Sequence, residues 1–220
     1  MNVLHGICSL LLGYLFGCFQ TSYFIANRVS KKDIREMGSG NAGASNVTSE
    51  LGWSFGVLTG VIDVLKAFIP VKLVLVLFPH AYQETELMVL AGTGAILGHI
   101  FPFFLDFRGG KGIACYIGML LAINWQLGVI TIFALMLVTF ITDYVAVGSL
   151  LLYTVFPILA LIEGSYSPLV MSCLIILFGV GIVKHLINIK RILNGSETGL
   201  RSVFKKHSTP VESRKESADS

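Results

Sequence analysis

A glycine-rich turn with a single lysine, Gly109-Gly110-Lys111-Gly112, follows an apolar run that stops at Asp106 and Arg108. Glycines leave no side chains between a ligand and the backbone N–H groups. Those N–H groups, the start of the next helix and the Lys111 ammonium together suit a phosphate group. The turn is not a Walker A loop, because Gly112 rather than Ser or Thr follows the lysine. We predict a phosphate site here, with an ordinary loop turn as the alternative.

An earlier polar stretch, DIREMGSGNAGASN, combines glycine with serine and asparagine. Ser39, Asn41, Ser45 and Asn46 offer hydroxyl and amide groups that can bind an anionic, hydroxyl-bearing ligand. The alternative is a turn followed by a helix N-cap, which the same residue types favour. We predict that these four side chains line a ligand site.

A third polar stretch, KHLINIKRILNG, places His185, Asn188 and Arg191 at i, i+3 and i+6. This spacing puts them close to one helical stripe, where they can face the same pocket. Histidine is the usual side chain for moving a proton near neutral pH. The alternative is a cationic helix end that reaches the lipid headgroups, which explains Arg191 better than it explains His185 and Asn188.

The elements that position these stretches are predicted to be membrane helices. The 220 residues are 54% hydrophobic and 13% charged, with a mean hydropathy of +0.77, which is too apolar for an ordinary soluble domain. We predict an all-α integral membrane protein with seven transmembrane helices, as one domain over residues 1–204, and a disordered polar tail over residues 205–220. The fourth span is short and is expected to be a half-length helix that starts in buried protein beside the glycine turn. The predicted spans are residues 4–25, 53–78, 87–105, 113–123, 127–141, 145–162 and 169–183.

Lysine and arginine fall on alternate connections between these spans. Of the 16 basic residues, only Lys66 and Lys72 lie inside a span, and the intervening connections hold none. The positive-inside rule then places the N-terminus outside and the C-terminus in the cytoplasm. Three polar stretches share the cytoplasmic face as a result, namely residues 33–46, 106–112 and 184–201.

Together these stretches resemble the bacterial membrane glycerol-3-phosphate acyltransferases that use acyl phosphate, the PlsY family. The resemblance covers residues 4–201 and rests on DIREMGSGNAGASNV, LGHIFPFFLDFRGGKGIA and HLINIKRILNGSE. It implies transfer of a long-chain acyl group from acyl phosphate to glycerol 3-phosphate, which gives lysophosphatidic acid and phosphate. The implied location is the bacterial cytoplasmic membrane, with the active site facing the cytoplasm. The expected partners are membrane lipid and, functionally, an acyl-phosphate-forming enzyme, with no nucleic acid, cofactor or metal.

On this interpretation the glycine turn holds the phosphate of the donor, while the first and third stretches position the acceptor. His185 is the candidate to orient or deprotonate the hydroxyl, although a substrate phosphate could do so instead. Proximity and stabilisation of developing charge suffice for an already activated donor. The expected catalytic residues are His185, Lys111, Asn188 and Ser39. The expected substrate-binding residues are Gly109, Gly110, Gly112, Asn41, Ser45 and Asn46.

Two positions depart from the family pattern. The family commonly has arginine where Ser49 stands and glutamate where Ile187 stands. A lost arginine removes a bidentate phosphate contact that serine cannot replace. These departures motivate one alternative, a divergent protein that binds phospholipid precursors without turnover. A small phosphate or lipid transporter is the other, and the clustering of polar residues on one face argues against it.

Overall fold

The structure of the protein, a computed structural model, describes residues 2–79 and 83–208. Over these residues the chain forms ten α-helices, with single 3-10 turns at Ile34–Glu36 and Phe103–Leu105. The helices are α1 (Val3–Cys18), α2 (Thr21–Ser30), α3 (Ala44–Leu51), α4 (Trp53–Leu77), α5 (Glu84–Ile100), α6 (Ile113–Ile123), α7 (Trp125–Thr142), α8 (Val145–Glu163), α9 (Pro168–Leu193) and α10 (Leu200–Ser208).

A helix occupies each of the seven apolar stretches, and the first stretch is divided between α1 and α2. In the described part of the chain, five helical segments are long and apolar enough to cross a membrane. Helix α4 has sufficient length, 25 residues, but it carries Asp63, Lys66 and Lys72. The short fourth helix is confirmed: α6 has 11 residues, and it begins after Gly112 in protein-buried surroundings. The five segments are Val3–Ser30, Glu84–Leu105, Trp125–Thr142, Val145–Glu163 and Pro168–Leu193.

Helix α5 is the centre of the fold, since nearly all of its residues from Leu87 to Ile100 are buried. It lies against α1 at small residues. A side chain at Gly94 would overlap the backbone of α1 at Leu10, and one at Gly17 would overlap the backbone of α5 at Ala95. Small residues at such crossings allow close approach of membrane helices. The close packing fixes the end of α5, from which the glycine turn follows.

A buried ionic cluster holds that end of α5 to α4. The Lys66 ammonium donates to the Phe19 carbonyl at 2.7 Å and lies 2.9 Å from the Asp63 carboxylate and 2.8 Å from His99 Nδ1. These contacts use all three ammonium donors, as a buried lysine requires. The His99 carbonyl in turn accepts from Gln20 Nε2 and from the Gly110 amide. The cluster therefore holds His99, whose carbonyl binds the glycine turn at Gly110.

Helix α10 lies across the predicted boundary between the domain and the tail. The sequence predicts a disordered tail from residue 205, and α10 continues to Ser208. Two contacts hold this helix, since Phe204 stacks on Trp53 and Lys206 pairs with Glu50. The composition of the segment does not reveal them. The rest of the predicted tail, residues 209–220, lies outside the described residues.

Candidate active site

Two adjoining cavities bring the three polar stretches together. One, the polar cavity, has a volume of about 510 Å³ and is lined largely by serine, asparagine and charged side chains. The other, the apolar cavity, has a volume of about 690 Å³ and runs between α4, α6, α7 and α8. The residues that line both cavities are Asn41, Ala44, Ser45, Lys111, Val145, Asn188 and Glu197.

A chain of hydrogen bonds crosses the junction of the cavities. The Lys111 ammonium donates to Asn188 Oδ1 at 2.5 Å, and Asn188 Nδ2 donates to Glu197 Oε1 at 2.5 Å. The Tyr153 hydroxyl donates to the Lys111 carbonyl at 2.8 Å, which fixes the backbone of the lysine. Burial lowers the pKa of Lys111 to about 8, although the nearby Glu197 carboxylate opposes this shift. An anion bound beside Lys111 would therefore stabilise its charged ammonium form.

The glycine turn differs in detail from the prediction. The Gly109 amide donates to the Ile100 carbonyl and the Gly110 amide donates to the His99 carbonyl, both at 3.1 Å. These two N–H groups are therefore used inside the protein and are not free for a phosphate. A Cβ at residue 110 would overlap the His99 ring and the Ala42 carbonyl. Close packing of the turn, rather than approach of a ligand, explains the glycine at this position.

Gly112 has a separate reason to be glycine. Its φ of +81° lies in the left-handed region, and it is the N-cap of α6. A Cβ here would also lie within 3 Å of Ile96 and the Tyr153 hydroxyl. The sharp turn directs the chain from Lys111 into the buried start of α6, so Gly112 positions the lysine.

In the first polar stretch, Asn46 shapes the loop. Its Oδ1 accepts from the Ser39 amide at 2.9 Å, and its Nδ2 donates to the carbonyls of Ile34 and Met37 at 3.1 and 2.9 Å. Both amide hydrogens are used, so Asn46 has no donor left for a ligand. Asn41 and Ser45 line both cavities, and Ser39 and Asn46 line the polar one. Asn46 therefore supports the loop that presents these side chains.

The predicted stripe on α9 crosses the junction. His185 lines the apolar cavity, Asn188 lines both cavities and Arg191 lines the polar one. His185 Nδ1 lies 2.8 Å from the Gly181 carbonyl. A carbonyl oxygen only accepts, so Nδ1 donates and the neutral ring keeps Nε2 as an acceptor. This tautomer is the one that can take a proton from a hydroxyl group.

Glu197 is a member of the site that the sequence pattern does not predict. It reaches the junction because the turn after α9, at Asn194 and Gly195, returns the chain towards Asn188. Its Oε2 is buried without a hydrogen-bond partner among the described residues, which provides an acceptor at the junction. Nothing in the sequence pointed to Glu197, because a carboxylate is not expected in a site predicted to bind phosphate.

The two departures from the family pattern have different surroundings. Ser49 lines the polar cavity, and its hydroxyl donates to Glu50 Oε1 at 3.3 Å. Ile187 is 62% exposed and lines neither cavity. Only the first departure can alter the site directly.

The fold and the joined cavities define a membrane protein whose site suits a molecule with an apolar chain and an anionic head. A model of the family described as glycerol-3-phosphate acyltransferase matches residues 7–195. Glycerol-3-phosphate acyltransferase 1 of Oceanobacillus iheyensis is 38% identical, over 89% of this chain and 95% of the relative. A glycerol-3-phosphate acyltransferase of Staphylococcus aureus is 37% identical, over 89% of this chain and 98% of the relative.

Solved structures agree with the sequence comparison. The glycerol 3-phosphate form of PlsY, an integral membrane glycerol 3-phosphate acyltransferase, matches with a TM-score of 0.78 and 29% identity, over 89% of this chain and 95% of the other. Its lysophosphatidic acid form matches with a TM-score of 0.73 and 28% identity, over 90% and 96%. The chain belongs to the glycerol-3-phosphate acyltransferase family and is an acyltransferase of phospholipid synthesis. The resemblance noted from the three polar stretches is confirmed.

Proposed function

We propose that this chain transfers a long-chain acyl group from acyl phosphate to glycerol 3-phosphate at the junction of the two cavities. The observation that carries the proposal is the position of Lys111, whose ammonium lies where an apolar cavity meets a polar one. An acyl phosphate has the same division, since its chain is apolar and its head is anionic. The acyl chain would occupy the apolar cavity, and the acceptor would occupy the polar one.

In the proposed reaction the glycerol hydroxyl attacks the carbonyl carbon of the acyl phosphate. An ester C–O bond forms, the bond from that carbon to the phosphate oxygen breaks, and inorganic phosphate leaves. Lys111 stabilises the charge on the departing phosphate. The hydroxyl proton passes to His185 Nε2 or to a substrate phosphate oxygen. Ser39, Asn41, Ser45 and Asn188 orient the acceptor.

The donor is already activated, so the mechanism needs no protein nucleophile. Cys115 is a thiol near the glycine turn, but it is fully buried and its Sγ donates to the Asp63 carbonyl at 3.2 Å. That contact supports a packing role. An acyl phosphate, which is the mixed anhydride of a fatty acid and phosphate, must be supplied, so we also propose functional coupling to an enzyme that forms it.

We further propose seven transmembrane spans, with the N-terminus outside and the site facing the cytoplasm of a bacterial cell. The positions of two connections support this, because their residues Glu86, Glu163 and Tyr166 line one polar hollow. These residues belong to the connections that lack lysine and arginine, whereas the basic stretches line the joined cavities. Single cysteines at residues 39, 111 and 185, in a variant without native cysteines, should react with impermeant reagents only from the cytoplasmic side. Labelling of any of them from outside would contradict the orientation.

The donor is tested with purified protein, labelled glycerol 3-phosphate and either acyl phosphate or acyl-CoA of the same chain. We expect labelled lysophosphatidic acid only with acyl phosphate. Product with acyl-CoA alone would contradict the proposed donor. A folded protein that binds both substrates and forms no product would favour the alternative of a non-catalytic precursor-binding protein.

A further inference from the structure

Helix α10 forms part of the outer wall of the polar cavity, although it lies beyond the family match, which ends at residue 195. Leu200 and Val203 line the cavity directly. The Leu200 amide donates to the Asp143 carbonyl and the Arg201 amide donates to Asp143 Oδ1, both at 2.8 Å. These two bonds cap the start of α10 on the connection between α7 and α8.

The other end of α10 is held against α3 and α4. The rings of Phe204 and Trp53 are stacked, with centroids 4.5 Å apart. The Lys206 ammonium lies 3.2 Å from Glu50 Oε1. Glu50 is itself a lining residue of the polar cavity. Through Lys206, α10 therefore pairs with one of the charges that line the site.

The charges of the polar cavity explain why this contact matters. Its lining residues include two carboxylates, Glu50 and Glu197, and two cations, Lys111 and Arg191. Glycerol 3-phosphate carries close to two negative charges near neutral pH, and an unpaired carboxylate in the wall repels it. The Glu50 carboxylate is 24% exposed and its partner Lys206 is 48% exposed, so the pair is accessible to solvent and screened by salt.

We infer that α10 is an acceptor-specificity element, in which Lys206 neutralises Glu50 and so favours a phosphate-bearing acceptor in the polar cavity. The inference rests on the proposed placement of the acceptor. Lys206 acts through Glu50 and is therefore a positioning residue that sets the charge of the wall. Removal of its charge weakens binding of glycerol 3-phosphate, while removal of the Glu50 charge at the same time restores it.

The test measures the dissociation constant of glycerol 3-phosphate for full-length protein in detergent, by calorimetry at low and at high salt. Lys206→Gln should raise this constant about 2- to 5-fold at low salt, and the difference should shrink in about 0.5 M salt, where the Debye length is near 4 Å. The double variant Glu50→Gln/Lys206→Gln should return to within about 2-fold of wild type. Lys32→Gln is the matched control, since Lys32 is exposed and lines neither cavity.

Thermal unfolding of each variant shows whether a change in binding reflects loss of fold. An unchanged dissociation constant for Lys206→Gln, or a double variant as weak as the single one, overturns the inference. So does an effect of equal size at both salt concentrations, because a screened charge cannot produce it. A wild type that binds glycerol 3-phosphate but makes no product contradicts the proposed reaction. The comparison of dissociation constants still decides the role of α10 in that case.

Discussion

Lys111 and Asn188 are 77 positions apart in the chain and are joined by a hydrogen bond of 2.5 Å between the ammonium and the amide oxygen. The contact joins the glycine turn to α9 at the junction of the two cavities. It holds the lysine by its side chain, while Tyr153 holds it by its backbone. A cation fixed at both ends is preorganised for a departing phosphate.

Replacement of Lys111 by alanine should impair use of the acyl donor. The loss of a charge-assisted contact to phosphate corresponds to about 1.5–3 kcal/mol. We expect kcat/KM for acyl phosphate to fall accordingly, with folding retained in thermal unfolding. Kinetic constants equal to those of wild type would remove Lys111 from the site.

The lowered pKa of Lys111, about 8, predicts a pH limit on the reaction. Below this pH the free enzyme carries the ammonium that attracts the donor phosphate, and above it the neutral amine predominates. The value of kcat/KM for acyl phosphate should therefore fall as pH rises through about 8. Lys111→Arg keeps its charge over this range, so any residual activity of that variant should lack the decline. A wild-type profile that is flat from pH 7 to 10 would contradict the assignment.

Gly110→Ala should lower both stability and activity. An added Cβ would overlap the His99 ring and the Ala42 carbonyl, and overpacking of this kind costs about 1–3 kcal/mol. The matched control is Gly179→Ala, because the added Cβ there would meet no other part of the described protein within 4 Å beyond its chain neighbours and the adjacent backbone of α9. Thermal unfolding and initial rates of both variants check the prediction. Equal melting temperatures for the two variants would show that the turn has room at residue 110.

Ser49→Arg should improve use of glycerol 3-phosphate. Ser49 lines the polar cavity, where a guanidinium fork can form two charge-assisted bonds to phosphate. We expect a lower KM for the acceptor and no change in KM for the donor, with Ser49→Lys giving a smaller gain. If the new guanidinium binds Glu50 instead, KM for the acceptor will not fall, and the prediction is wrong.

The sequence predicts the meeting of the three polar stretches, because hydropathy and the distribution of basic residues place their connections on one side. It does not predict the partners within the site. The amides of Gly109 and Gly110 are used by the end of α5, and Asn46 is used by its own loop. Such assignments depend on which carbonyl oxygens the tertiary packing brings near. The sequence does not predict the docking of α10 for the same reason, since the local composition there favours a polar tail.

The most direct test of the account is release of inorganic phosphate from acyl phosphate by purified wild-type protein, measured with and without glycerol 3-phosphate. We predict release that depends on glycerol 3-phosphate and matches the lysophosphatidic acid formed in a one-to-one ratio. The rate should fall in Lys111→Ala. The contradicting result is that neither the folded wild type nor the folded double variant Ser49→Arg/Ile187→Glu releases phosphate. That result would rule out the central claim that acyl transfer occurs at the Lys111–Asn188 junction.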